Sequence, residues 1–165
     1  MGITAVAGAW PGPARWTPRV GMKLNLGAGN DQAEGFVRVD RAGRPDVFCD
    51  VMSLPFRGGV FKIIKAHHIL EHIPRESLIP LMNECWRLLR YGGEMDIEVP
   101  IFPSEGAMAD PTHVSFFVSS TFDYFVRGGK FDDHRELYGI KPWLLQRRER
   151  LGFNDILGVT LEKVS

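Results

Sequence analysis

A surplus of one charge sign, a cysteine framework and a long apolar run are all missing from this sequence, and each absence removes a class of function. Twenty acidic and twenty basic side chains cancel over 165 residues, so no overall field draws the chain toward nucleic acid or an anionic membrane. The densest basic run, Arg147-Arg148-Glu149-Arg150, reads as the solvated part of a strand. Cys49 and Cys85, the only two cysteines, each sit in an apolar segment; they suit reduced core thiols, and hence the cytoplasm, better than disulfides. No apolar run approaches the ~20 residues of a spanning helix. The stretch 3–10 is apolar but short, lacks a basic lead-in and runs into Pro11-Gly12-Pro13, which argues against a signal peptide. With 44% hydrophobic and 24% charged residues, what is present is the make-up of one globular domain with a real core.

Residues 1–19, rich in Gly, Pro, Ala and Trp, read as an irregular arm, and 20–165 as a single domain. Strand signals recur over 23–26, 36–40, 47–49, 61–66 and 94–99. Between the last two, Leu78, Leu81, Met82, Cys85, Trp86, Leu88 and Leu89 share one broad helical face. Ser77 is the expected N-cap, which places Pro80 in the first turn, and Gly92-Gly93 is the expected stop. Strand, helix, strand is the crossover grammar of a parallel sheet, so the fold class is α/β. A loop over 101–112 and a short helix over 119–126 follow. Two long strands, 141–150 and 154–164, joined by Leu151-Gly152-Phe153, are expected to form an antiparallel hairpin. The connections 29–36 and 40–47 are shorter than the dozen or so residues that a crossover helix normally needs, which implies a trimmed sheet with a marginal third strand.

Chemistry concentrates where strands end. The apolar run Lys23-Leu24-Asn25-Leu26 breaks into Gly27-Ala28-Gly29, where two residues without Cβ let the backbone approach a ligand closely. A second strand ends in Asp40, a carboxylate placed to grip a ribose diol. Together they suggest a nucleoside-containing ligand.

The order of motifs resembles the class I S-adenosylmethionine-dependent methyltransferases, particularly their compact forms. The match runs from Leu24-Asn25-Leu26-Gly27-Ala28-Gly29-Asn30 through Gly35-Phe36-Val37-Arg38-Val39-Asp40 and Asp50-Val51-Met52-Ser53-Leu54-Pro55-Phe56. It continues in His67-His68-Ile69-Leu70-Glu71-His72 and in Glu84-Cys85-Trp86-Arg87-Leu88-Leu89-Arg90-Tyr91-Gly92-Gly93. Asp31, Lys62 and Tyr91 depart from it, standing where a third glycine, an acid and a proline are common. The resemblance implies a Rossmann-like, mostly parallel sheet with a C-terminal antiparallel hairpin, S-adenosyl-L-methionine as cofactor, and methyl transfer to an acceptor. Small-molecule or glycan hydroxyls or amines are expected as acceptors rather than nucleic acid.

Under that resemblance Asn25 belongs to the cofactor site, Gly27, Ala28 and Gly29 border the methionine part of the cofactor, His67 or His68 borders the methionine or the acceptor with His67 on the cofactor side, Asp40 holds the ribose, and Asp50, Val51 and Met52 hold adenine. Transfer from a sulfonium is an in-line displacement, so alignment in a dry pocket carries much of the catalysis. Where the acceptor must lose a proton, His113, in Asp110-Pro111-Thr112-His113, is the expected base, because an unperturbed imidazole titrates near about pH 6.5. His68, Glu105 and Tyr124 are expected on the acceptor side, and no metal is expected.

Three other readings compete. A nicotinamide-binding fingerprint places its acid about twenty residues on and opens a helix with a third glycine, whereas Asp40 follows Gly27 too closely. His68-Ile69-Leu70-Glu71-His72 satisfies the H-x-x-E-H zinc-peptidase pattern, but it follows a strand and is cut short by Pro74. A non-catalytic module of the same fold, binding cofactor or a protein partner, remains as the third.

Overall fold

The computed structural model describes residues 19–152 and 155–165, so the expectations for the N-terminal arm over 1–18 and for Phe153 and Asn154 lie outside the described residues. The chain builds a seven-stranded sheet from β1 (Met22–Leu26), β2 (Phe36–Asp40), β3 (Val47–Phe48), β4 (Phe61–His67), β5 (Leu89–Pro100), β6 (Trp143–Leu151) and β7 (Ile156–Lys163). Their order across the sheet is β3-β2-β1-β4-β5-β7-β6. The first five pair in parallel, and β7 and β6 run antiparallel beside β5. This is the expected mostly parallel sheet with its C-terminal hairpin, and β3, at two residues, is the marginal edge.

Side chains alternate across each strand, and register decides which of them meet. Val39 stands opposite Leu26, and Ala66, Ile97 and Val159 stand opposite one another. So do Val37, Leu24, Ile64, Met95 and Leu161. These rows are buried and join one core with Leu78, Leu81, Met82, Cys85 and Leu88 of the helix α1 (Arg75–Leu88). The opposite parity gives a different row: Arg38, Asn25, Lys65, Asp96, Thr160 and Arg147. That second face is mostly polar, and the β1–β2 and β2–β3 connections that would place helices over it contain none.

Three expectations need correction. The N-cap of α1 is Pro74, not Ser77; Ser77 lies inside the first turn, its N–H donating to Pro74 O at 2.8 Å. Pro80 therefore sits in the second turn and withdraws the donor that Glu76 O would otherwise receive. Both residues are exposed, so water can supply it. Gly92-Gly93 does not stop the helix either. The helix ends at Leu88, β5 starts at once, and Gly92 takes φ +68° within that strand. Lys163 of β7 ties these parts together, its ammonium donating to Leu89 O at 2.8 Å and lying 3.9 Å from the Trp86 ring. Burial lowers its pKa from the usual lysine value.

The chain from 101 to 142 carries α2 (Glu105–Met108), a 3-10 segment (Ser119–Tyr124) close to the expected short helix, and α3 (Asp132–Leu137). α3 carries no apolar period to announce it. It holds a buried Arg135, satisfied by Asp132 at 2.6 Å and by Ile140 O at 3.0 Å.

Candidate functional site

At the carboxyl ends of β1, β2 and β4, where open parallel sheets collect ligands, lies a cavity of about 490 Å³ lined by Gly27, Asp40, Asp50, Val51, Met52 and His68, among others. Its volume falls within the usual range for small-molecule sites. Gly27 and Gly29 have φ of +61° and +51°, the left-handed region that glycine enters without penalty. A Cβ on Gly27 would also stand 2.6 Å from Ile69 Cδ1, so the chain's own packing demands glycine there.

Asp40 organises the loops around it. Its Oδ2 accepts from Gly29 N–H at 2.7 Å and its Oδ1 from Ala42 N–H at 2.8 Å. A carboxylate offers about four acceptor positions, so two remain for a diol. Asp50 is exposed and accepts from Met52 N–H at 2.8 Å. That turn leaves Met52 42% exposed at the cavity while Leu54 is buried at 8%. Leu54 is core; Met52 is an apolar side chain available to a ligand. Cys49 also lines the cavity, its thiol pKa raised by burial.

Several expected residues lie elsewhere. His67 is on the polar face, bonded to Asp96 at 2.9 Å and 3.3 Å from Glu98. The next residue, His68, turns toward the cavity with φ +54°, an uncommon conformation for a non-glycine and one that clusters at functional sites. Asn25 is buried and donates to Asp31 at 3.0 Å. Asp31 also pairs with Lys65 at 2.7 Å, and that hydrogen bond holds its carboxyl below the usual range. Ala28 and Gly29 shape the loop by backbone bonds and are not among the lining residues. Tyr124 stacks on Phe131 at 4.3 Å, and Glu105 is an exposed first residue of α2; neither lines the cavity.

Sequence reasoning did not assign Arg41, Ile69, His72, Ile73, Pro74 and Ser77 to the site, yet all six line the cavity. His72 and Glu71 carried a signal, the H-x-x-E-H spacing, which was weighed as a peptidase pattern and set aside. His113, the expected base, is not among the lining residues and packs behind His72. Its ring meets that of His72 with centroids 4.9 Å apart, and its Nδ1 donates to Ala107 O at 3.1 Å. The carbonyl of Glu71 accepts from Val114 and Ser115 N–H at 2.9 and 3.0 Å, which clamps the loop carrying His113 to the turn after β4. His68 lies 3.4 Å from Glu71, and this hydrogen bond raises its pKa above the usual histidine value.

Residues 17–96 match a family described as a methyltransferase domain. No curated protein matches the chain. Among solved structures, the chain is similar to the 1,6-didemethyltoxoflavin-N1-methyltransferase of Burkholderia thailandensis, determined with 1,6-didemethyltoxoflavin and S-adenosylhomocysteine bound. The identity is 17%, the TM-score is 0.64, and 89% of this chain and 72% of that one are covered. A SAM-dependent methyltransferase from Archaeoglobus fulgidus gives 17% identity and a TM-score of 0.60 over 87% of this chain and 86% of that one. The [4+2]-cyclase SpnF gives 13% and 0.61 over 88% and 76%. At such identities these likenesses concern the fold.

Proposed function

We propose that this protein is an S-adenosyl-L-methionine-dependent methyltransferase acting on a small-molecule or glycan hydroxyl or amine, because residues 17–96 match a methyltransferase domain and the sheet resembles that of solved methyltransferases. The observation that carries the reading is the cavity at the ends of β1, β2 and β4, with the Asp40 carboxylate and the exposed Met52 on its wall. The cavity fits the cofactor on three counts. Asp40 keeps acceptor positions for both ribose hydroxyls, Asp50 offers an acceptor to the adenine amine, and Met52 offers an apolar surface to the ring. The bound cofactor supplies an electrophilic methyl carbon on a sulfonium.

The chain's own contribution is alignment and proton handling. The loop held by Asp40 presents backbone with no side chain in the way, and Ile69 and Ile73, both on the cavity wall, exclude water. On the acceptor side, His113 has its Nδ1–H committed to Ala107 O, so its Nε2 holds the lone pair that takes a proton from a hydroxyl or ammonium acceptor. Both cysteines are free, which suits a reducing cytoplasm. No helix among the described residues is long and apolar enough to cross a membrane.

A non-catalytic role in the same fold is the second reading, favoured by the absence of helices from the β1–β2 and β2–β3 connections. Calorimetry with S-adenosylmethionine and S-adenosylhomocysteine tests both. Binding of each at micromolar to sub-millimolar concentration is expected; no heat at millimolar cofactor would leave a partner-binding module.

A further inference from the structure

We propose that Glu71, His72 and His113 form a divalent metal site of the zinc type in the wall of the cavity. One donor atom from each lies within 4.8 Å of the others. The turn after β4 and the loop over 110–115 bring them together, and the Glu71 carbonyl holds the two segments in place through Val114 and Ser115 N–H.

The hydrogen bonds leave each imidazole with a lone pair on Nε2. Thr112 Oγ1 donates its only proton to Asp110 Oδ1 at 2.7 Å, so at 3.1 Å it must accept from His72 Nδ1–H. Ala107 O can only accept, so His113 Nδ1 also carries its proton. Both Nε2 atoms therefore bear lone pairs, the arrangement that an outer acceptor imposes on metal-bound histidine.

The third donor gives independent support. Glu71 is 1% exposed, and its Oε2 is buried with no hydrogen-bond partner. A buried carboxylate oxygen without a donor is costly unless a cation answers it. His68 reaches only Oε1, at 3.4 Å, and is itself half-exposed. Two imidazole nitrogens, one carboxylate oxygen and an open position make a donor set suited to zinc at a catalytic site. The geometry thus differs from the peptidase spacing, because Glu71 is a ligand rather than a base and His113 replaces His68.

His72 also lines the cavity. In a use that rests on the proposed methyl transfer, the open position would bind the acceptor's hydroxyl and lower its pKa, its proton passing to water. The His113 lone pair serves one role at a time: base in the metal-free protein, ligand in the loaded one.

Untagged full-length protein, stripped with a chelator, is titrated with Zn²⁺ against a chromophoric indicator and with Co²⁺ followed by its visible absorption. One equivalent of zinc is expected, with affinity falling at least about tenfold in Glu71→Gln and in His113→Ala, since even lost outer-shell contacts produce that much. Control His134→Ala should bind as the parent does. Circular dichroism checks each fold, and if His113→Ala unfolds, the near-isosteric Glu71→Gln and the parent's cobalt spectrum decide. Absent stoichiometric zinc, unchanged affinity in Glu71→Gln, or loss of zinc in His134→Ala or Cys49→Ser each overturns the site. Cofactor calorimetry on the same samples separates the two proposals: cofactor binding without zinc removes only the metal, and zinc without cofactor removes only the methyl-transfer reading.

Discussion

The two faces of the sheet solve the same problem in opposite ways. On one, Leu24, Leu26, Ile64, Ala66, Met95 and Ile97 are fully buried with α1. On the other, the same strands present Asn25, Lys65, His67, Asp96 and Glu98, joined by the ion pairs Lys65–Asp31 and Arg147–Asp96 and by the His67–Asp96 hydrogen bond. Parallel sheets are usually covered on both faces because their crossovers are helices. Here the nine-residue and six-residue links after β1 and β2 contain no helix, and the strands carry charge where apolar cover would otherwise be needed. The hydrophobic effect holds one face; mutual pairing of charges keeps the other compatible with water.

The comparison predicts unequal mutational effects. Truncation on the covered face should be the most damaging: Ile97→Ala, at 0% exposure, is expected to lose about 2–5 kcal/mol of unfolding free energy in urea denaturation. A loss near zero would mean that this face is not a packed core.

At the cavity, Asp40→Ala should weaken S-adenosylhomocysteine binding by about 1–3 kcal/mol, the usual consequence of removing a charged hydrogen-bonding partner. Part of that loss arises through Gly29 and Ala42, whose N–H groups it holds. An unchanged dissociation constant by calorimetry would count against the ribose role.

On the polar face, Asp96→Asn should cost about 1 kcal/mol or less, and less still in high salt. The His67 hydrogen bond, aided by Arg147, lowers the Asp96 pKa below 3.8. Its contribution is therefore complete above that value and disappears as pH falls through the lower folded-state pKa. Urea titrations down the acid limb should show the parent losing this increment and Asp96→Asn lacking it from the start. A cost as large as that of Ile97→Ala would erase the distinction between the faces.

Much of this was legible because strands write their faces into sequence. Leu24-Asn25-Leu26 and Met95-Asp96-Ile97 alternate visibly; Asp40 was singled out as a strand-end carboxylate and Asp50 through the family resemblance, and both line the cavity. His67 was misplaced although the same alternation contains the answer: Ile64 and Ala66 face the core, so His67 must face away. The turn to His68 depends on a positive φ that no composition signals. α1 was found by its apolar stripe, but its start was missed because Ser77 is the better capping residue by type, while Pro74 supplies the carbonyl that Ser77 N–H bonds. The joining of His113 to Glu71 and His72 was invisible for another reason. It depends on one carbonyl joining segments about forty residues apart, a contact fixed by tertiary packing.

The two-residue β3 has a consequence for how copies of this protein meet. A long, flat margin of unpaired amides invites another chain to add itself as a further strand. At this end of the sheet the margin spans only Val47–Phe48, and at the other β6 carries Gln146, Arg147, Arg148, Glu149 and Arg150 in succession. One border is too brief to template self-association, and the other is blunted by its charged side chains.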